Sequence, residues 1–141
     1  TTLTRIRKSW ERDFKWLSIQ VSIDNELFFD ISEDILVTIF DNLILNSIQQ
    51  NSMSLELIIS IKVNQNGNCL NFSYSDNGVG LDSKYLMNPR KILEVHETNR
   101  KNGHGLGMWI VNNTVIMTGG SIDRIESNNG FNIDFTIGGQ S

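Results

Sequence analysis

Polar and apolar residues alternate in five stretches of the chain, and this period of two predicts β-strands with one buried face. The predicted strands are residues 16–23, 55–63, 70–74, 121–126 and 131–137. Asn66-Gly67 separates the second strand from the third, and Asn128-Asn129-Gly130 separates the last two. Such residues favour tight turns, so each of these two pairs is expected to form an antiparallel hairpin.

Apolar residues at helical spacing predict two helices between these strands. The first runs from Glu33 to Gln50, with Ser32 as its expected N-cap and acidic residues in its first turn. The second covers residues 106–117 and is closed by Gly119-Gly120. The resulting order of elements is typical of helices packed on one face of a mixed sheet. The sequence therefore predicts a two-layer α/β sandwich.

Residues 78–107 follow neither repeat, and only 84–87 and 92–95 resemble short helices. A long irregular segment inside a compact domain is usually functional or mobile. At the other end, residues 1–15 place basic side chains among apolar ones at helical spacing. This segment is interpreted either as a connector from an upstream region or as an amphipathic edge of the fold.

Length, charge and cysteine content limit the possible functions. The 141 residues suffice for one compact domain, predicted to be residues 16–141, and the start at Thr1 suggests a piece of a longer protein. A net charge of -4 offers no basic field for nucleic acid. The lone Cys69 fits a reducing compartment, and no apolar run approaches the roughly 20 residues that span a bilayer. We expect a cytoplasmic domain without membrane contact, although its parent protein could be membrane-anchored.

Three polar motifs suggest chemistry. Asn42 and Asn46 lie four residues apart and so share one face of a predicted helix, where amide oxygens would suit Mg2+. Two asparagines on a helix are more often ordinary surface residues, so this pair leaves both interpretations open. The second motif, Asp76-Asn77-Gly78-Val79-Gly80, follows a predicted strand. Its carboxylate can accept a hydrogen bond from the amine of a base, and its glycines allow close backbone approach; the alternative is a plain Asx turn.

The third motif, Gly103-His104-Gly105-Leu106-Gly107, opens the second predicted helix. Free backbone N–H groups and the positive end of the helix dipole can hold phosphate there. A dinucleotide-binding loop is the alternative, but it would need a preceding strand and a following acidic residue at the right spacing.

In this order and at these separations, the motifs resemble those of the GHKL superfamily. Its members include sensor histidine kinases, the DNA gyrase ATPase subunit, heat-shock chaperone ATPases and mismatch-repair ATPases. Residues 42–46 resemble the N box, 76–80 the G1 box and 103–107 the G2 box. The resemblance covers residues 16–137, and 118–122 are similar to the turn and strand that follow in the kinases. It implies the Bergerat-like fold of a histidine-kinase ATP-binding domain.

The resemblance also implies an ATP pocket beneath a lid of about residues 81–102. Asn46 would hold Mg2+, Asn42 would line the same site, and Asp76 would accept the adenine amine. The residues that would shape the pocket or contact the phosphates are Gly78, Gly80, Lys101, Gly103, His104, Gly105, Leu106 and Gly107.

Two departures from the family pattern affect the expected reaction. Gln49 stands where many kinases have a basic residue on the phosphates, so affinity for the triphosphate is less certain. Asn42 stands where the ATPases place a glutamate that acts as general base on water, and an amide cannot take that proton. Asp41 is adjacent in sequence but lies roughly 140° around the helix from Asn46. The absence of a general base beside Asn46 favours phosphoryl transfer over hydrolysis.

The acceptor of such a transfer is expected outside this chain. His96 falls in the expected lid and His104 in the glycine loop, so neither suits the role. The resemblance implies the catalytic domain of an ATP-dependent protein-histidine kinase, inactive without an upstream dimerisation and phosphoacceptor domain, with a response regulator downstream. A nucleotide-gated ATPase or switch that controls a partner by lid closure is the alternative.

Overall fold

The computed structural model describes residues 2–23, 31–51, 56–81, 85–94 and 107–138. Within these ranges the helices are α1 (Thr2–Asp13), α2 (Glu33–Gln50) and α3 (Gly107–Met117). The strands are β1 (Leu17–Ile23), β2 (Leu57–Asn66), β3 (Cys69–Asp76), β4 (Ser121–Ser127) and β5 (Phe131–Gly138), and a short 3-10 helix covers Pro89–Glu94.

The five strands form one mixed sheet in the order β1-β2-β3-β5-β4. β1 and β2 are parallel and are joined through α2, because parallel neighbours need a crossover connection. β2 and β3, and likewise β4 and β5, are the predicted antiparallel hairpins, and β3 pairs antiparallel with β5 at the centre. The predicted α/β sandwich with a mixed sheet is confirmed.

One face of the sheet is apolar and packs against the helices. Alternate residues of β2, β3 and β5 are buried, as the period-two pattern predicts. At the centre, Phe72 and Phe135 stack with their ring centroids 5.0 Å apart, and Phe40 of α2 lies 5.6 and 5.9 Å from them. The opposite face is polar: there Ser73 Oγ donates to Asp134 Oδ1 over 2.7 Å. The domain therefore has two layers and one core.

Helix α1 packs on the domain through Leu3 and Ile6, which are buried. Trp10 Nε1 donates to Asp41 Oδ1 of α2 over 2.8 Å. Glu11 Oε2 accepts from the backbone N–H of Ile19 over 2.7 Å, on the side of β1 that has no neighbouring strand. An otherwise open sheet edge is thus partly covered. A connector role for residues 1–15 stays a prediction.

Some boundaries differ from the sequence-based expectations. Ser32 precedes α2 as predicted, but its side chain makes no capping hydrogen bond; its carbonyl accepts from Ile35 and Leu36 instead. β3 continues to Asp76, two residues beyond the predicted end, because its pairing with β2 extends to that residue.

Part of the expected lid packs on the core. Ile92 and Leu93 of the 3-10 helix are buried, and Arg90 Nη1 donates to the carbonyl of Ile122 over 3.0 Å. The helix predicted at 92–95 therefore begins earlier, at Pro89. Residues 82–84 and 95–102 of the expected lid lie outside the described residues.

Replacement of Phe40 by alanine tests this arrangement of the core. Phe40 is fully buried against both stacked rings, so Phe40→Ala is expected to lower the free energy of unfolding by about 3–5 kcal/mol. Urea denaturation would measure this change. Ile116→Ala is the control, because Ile116 is 55% exposed and its loss should change stability by less than about 0.5 kcal/mol. Similar losses for the two variants would contradict this account of the core.

Candidate functional site

The carboxylate of Asp76 is the centre of the candidate site. It lies at the end of β3 and is only 6% exposed. Its Oδ1 accepts from the backbone N–H groups of Gly78, over 2.9 Å, and Phe131, over 3.1 Å, while Oδ2 accepts from Ser47 Oγ over 2.7 Å. A carboxylate offers about four acceptor positions, so these donors leave one on Oδ2 among the described residues. That remaining position could accept one N–H from a ligand.

Behind Asp76, two buried hydroxyl groups continue the network. Ser47 Oγ lies 2.6 Å from Tyr74 Oη, and Tyr74 Oη lies 3.0 Å from the carbonyl oxygen of Leu43, so the single phenolic proton is within donating distance of both. Burial is the main cause that raises the pKa of Tyr74 well above its ordinary value of 10.0. The hydrogen bond with Ser47 opposes this shift, and the charge of Asp76 adds to it. The phenol therefore remains a neutral hydrogen-bond donor at physiological pH.

The loop after Asp76 is held against the end of α2 by Asn51. This buried side chain donates through Nδ2 to the carbonyl of Ser47, and its Oδ1 accepts from the N–H of Val79, each over 2.8 Å. A β-carbon on Gly78 would collide with the Asn51 amide, so only glycine allows this approach. The glycines of this motif were expected to allow close approach of a ligand, and at Gly78 the close neighbour in the structure is the Asn51 amide.

The β4–β5 hairpin holds the same loop from the other side. Ser127 Oγ accepts from the N–H of Leu81 over 3.1 Å, beside Gly80. Gly80 has a φ of +80°, a conformation that favours glycine. At the hairpin turn Gly130, with a φ of +123°, lies so close to Asp76 that a β-carbon would collide with the Asp76 carbonyl. Segments from α2, β3 and the β4–β5 hairpin therefore meet around one carboxylate.

The predicted pair on α2 lies beside this network. Asn46 is 4% exposed, and its buried Oδ1 has no hydrogen-bond partner in the described part of the chain. Asn42 Nδ2 donates to the carbonyl of Thr38 over 2.7 Å, and a β-carbon on Gly107 would lie 3.5 Å from Asn42 Oδ1. The structure therefore brings the end of the glycine motif beside Asn42. Asp41, in contrast, faces α1, where it is bonded to Trp10.

The other predicted site residues cannot be located. Lys101, Gly103, His104, Gly105 and Leu106 lie outside the described residues. In the described ranges, no cluster of three or more histidine, cysteine or acidic side chains could bind a metal ion. A single amide oxygen such as Asn46 Oδ1 would suit Mg2+, which takes its other ligands from water and phosphate.

A family model described as "Histidine kinase-, DNA gyrase B-, and HSP90-like ATPase" matches residues 31–139. This match covers the Asp76 site, both predicted helices and most of the sheet. The chain belongs to this family of ATPases. No helix in the described part of the chain is both long and apolar enough to cross a membrane.

Several histidine kinases are similar to the chain over most of its length. It is 29% identical over 119 residues to the sensor histidine kinase WalK of Bacillus subtilis (strain 168), covering 81% of this chain but only 19% of WalK. The catalytic domain of the histidine kinase ThkA superposes with a TM-score of 0.78 and 20% identity, covering 97% of this chain and 90% of that one. The mycobacterial sensor histidine kinase MprB superposes with a TM-score of 0.75 and 16% identity, covering 96% of this chain and 91% of the MprB chain.

Full-length ShkA, in complex with AMPPNP, superposes with a TM-score of 0.74 at 19% identity, covering 96% of this chain and 29% of ShkA. At these identities the structural matches show the fold, and the family match shows the class. Together they show a domain of this ATPase family with the fold seen in histidine-kinase catalytic domains. They do not favour the nucleotide-gated switch.

Several residues of the site were not singled out from the sequence. Ser47 directly follows Asn46, the last residue of the first motif, but no local pattern predicts its bond to Asp76. Tyr74 lies two residues before Asp76, so the period of the strand already placed both on one face. Asn51 and the Phe131 N–H contact residues that are distant in sequence, so no local sequence pattern predicts these contacts.

Gly130→Ala tests whether the hairpin turn holds Asp76. Its β-carbon would force the turn away from Asp76, so we expect a loss of stability about 1–3 kcal/mol larger than for Gly67→Ala. Gly67 is the control because it also lies in a hairpin turn at positive φ, +63°, but with open space around it; the φ of +123° at Gly130 adds backbone strain to the collision. Equal losses in urea denaturation would show that conformational strain alone, and not contact with Asp76, requires Gly130.

Proposed function

We propose that this domain binds ATP with Mg2+ and donates the γ-phosphoryl group to a histidine on another segment or protein. The observation that carries the proposal is the buried Oδ1 of Asn46, which lacks a hydrogen-bond partner in the described ranges. A buried polar atom without a partner is costly, and its retention suggests a ligand. Asn46 directly precedes Ser47, whose hydroxyl donates to Asp76, so the proposed metal ligand is adjacent in the chain to a residue that contacts the proposed base acceptor.

The adenine end of ATP would bind at Asp76. The amine of adenine is a hydrogen-bond donor, and Oδ2 of Asp76 retains one acceptor position among the described groups. Gly78 and Gly80 shape the loop beside it, where the absence of side chains would leave space for a flat base. The network of backbone and hydroxyl donors would hold the carboxylate ready for that single contact.

The phosphate end would lie toward Asn46, Asn42 and the start of α3. Mg2+ would be held by Asn46 together with phosphate oxygens and water, and would neutralise phosphate charge during transfer. Backbone N–H groups of the glycine motif, at Gly103, Gly105 and Gly107, with Leu106 and the backbone of His104, would bind the phosphates. Lys101 would add positive charge in place of the basic residue that Gln49 replaces.

Transfer to a histidine is favoured over hydrolysis by the side chain at position 42. Asn42 donates to a helix carbonyl and cannot accept a proton from water as a carboxylate would. The nearby carboxylate of Asp41 is directed to Trp10 on the α1 side. Catalysis would then consist mainly of positioning and charge neutralisation, with the attacking imidazole supplied by the acceptor.

This function requires partners beyond the chain. The chain spans about a fifth of the length of WalK. We propose an upstream dimerisation and phosphoacceptor domain, without which this domain would be inactive as a kinase, and a response regulator downstream. We further propose that residues 1–15 include the connector, that the domain is cytoplasmic and makes no contact with nucleic acid or membrane, and that its parent could be membrane-anchored.

Asp76→Asn tests recognition of the base. An amide can still accept from Gly78 and Phe131 but removes the charged acceptor, so affinity for AMPPNP should fall roughly 10- to 100-fold, measured by calorimetric titration. Asp134→Asn is the control, because it removes one carboxylate charge from the polar face of the sheet. Unchanged affinity in Asp76→Asn would remove the central claim.

Asn46→Ala tests the metal site separately. In the wild-type domain, Mg2+ should alter the affinity for AMPPNP, and in Asn46→Ala this effect should be lost while binding without Mg2+ persists. Since Oδ1 has no protein partner in the described ranges, its removal should change the free energy of unfolding by less than about 1 kcal/mol. A full Mg2+ effect in a folded Asn46→Ala domain would refute the assignment.

A further inference from the structure

Two hydroxyl groups behind Asp76 make three short contacts but carry only two protons. Ser47 Oγ lies 2.7 Å from Asp76 Oδ2 and 2.6 Å from Tyr74 Oη, and Tyr74 Oη lies 3.0 Å from the Leu43 carbonyl oxygen. An ionised carboxylate only accepts hydrogen bonds, so the Ser47 proton must point to Asp76. The contact between the two hydroxyls is then donated by Tyr74.

Tyr74 also affects the alternative partner of Ser47. A serine inside a helix commonly turns its hydroxyl to the carbonyl four residues earlier, which for Ser47 is that of Leu43. Tyr74 Oη lies within hydrogen-bond distance of this carbonyl. The phenol has one proton, and because Ser47 donates to Asp76, Tyr74 donates that proton to Ser47 Oγ rather than to this carbonyl. This donation directs the Ser47 proton toward Asp76.

We propose that Tyr74 is a positioning residue for recognition of the base: acting through Ser47, it fixes Asp76 so that one acceptor position on Oδ2 faces the ligand amine. The inference depends on the proposed function, because it assumes that a nucleotide base binds at Asp76. It adds a source of selectivity for a 6-amino purine over a 6-oxo purine. A fixed acceptor favours an amine, which donates, and disfavours an oxo group, which only accepts.

The test compares AMPPNP with the corresponding inosine analogue, which has a 6-oxo group. The measured quantity is the ratio of their two Kd values for each variant, by calorimetric titration. Tyr74→Phe removes the hydroxyl but keeps the buried ring that packs edge-on against Phe131 at 6.3 Å. We expect the preference for the adenine analogue to fall about fivefold, as the loss of one hydrogen bond implies, through weaker adenine binding.

A double-mutant cycle separates positioning from a general effect on packing. Ser47→Ala should lower the same ratio, and Tyr74→Phe should then add little, because the tyrosine acts through a serine that is already absent. A merely structural role would instead weaken both nucleotides alike and would add to the serine effect. Ser73→Ala is the matched control, since Ser73 lies in the same strand but on the polar face of the sheet. Its ratio should equal that of the wild-type domain.

The possible outcomes are distinct. If the wild-type domain binds neither nucleotide, the proposed function fails. If it prefers the adenine analogue but Tyr74→Phe keeps that preference, or if the two substitutions are additive, the role of Tyr74 is overturned. If Tyr74→Phe does not fold, the proposal is tested with Ser47→Thr and Ser47→Ala. Threonine keeps the hydroxyl and should keep the preference for the adenine analogue, whereas alanine should lose it. An equal loss of that preference in both variants would overturn the proposal.

Discussion

A buried carboxylate must be surrounded by hydrogen-bond donors, and this requirement at Asp76 organises the domain. An ionised group removed from water without partners would cost several kcal/mol. Asp76 receives donors from Ser47 on α2, from Gly78 in its own loop and from Phe131 at the start of β5. These segments are distant in sequence, so the carboxylate can be satisfied only when the sheet and α2 have assembled. The site and the fold therefore form together.

Close packing around Asp76 depends on residues without side chains. Gly78 lies against the Asn51 amide, and Gly130 lies against the Asp76 backbone. At each position a β-carbon would push apart two segments that must remain in hydrogen-bond contact. Glycine at Gly78 thus combines two requirements, space beside the carboxylate and contact with the end of α2. A search for glycine motifs finds such positions but does not reveal which neighbour requires them.

The sequence predicted what depends on local periodicity and left out what depends on pairing. Alternation in β3 and helical spacing in α2 correctly predicted the buried faces, because each repeat depends only on which side of that one element is shielded from water. Asn46 and Asp76 stood out because of their motifs. The contact between Ser47 and Tyr74 joins residues 27 positions apart and depends on the position of α2 over β3. Ser32 precedes α2 as predicted, but its side chain makes no capping hydrogen bond, because the conformation that a capping side chain adopts cannot be read from the sequence.

The two ends of the proposed nucleotide site contribute differently to the stability of the fold. At Asp76 the groups that would recognise the base also satisfy one another, so each change there affects both folding and binding. At Asn46 the buried Oδ1 makes no hydrogen bond to the described part of the fold, and a bound metal ion would offset the cost of its desolvation. Natural proteins retain such costs mainly at functional sites. The proposed base-recognition group is thus part of the core, whereas the proposed metal ligand is separable from it, although Asn46 and Ser47 are adjacent on one helix.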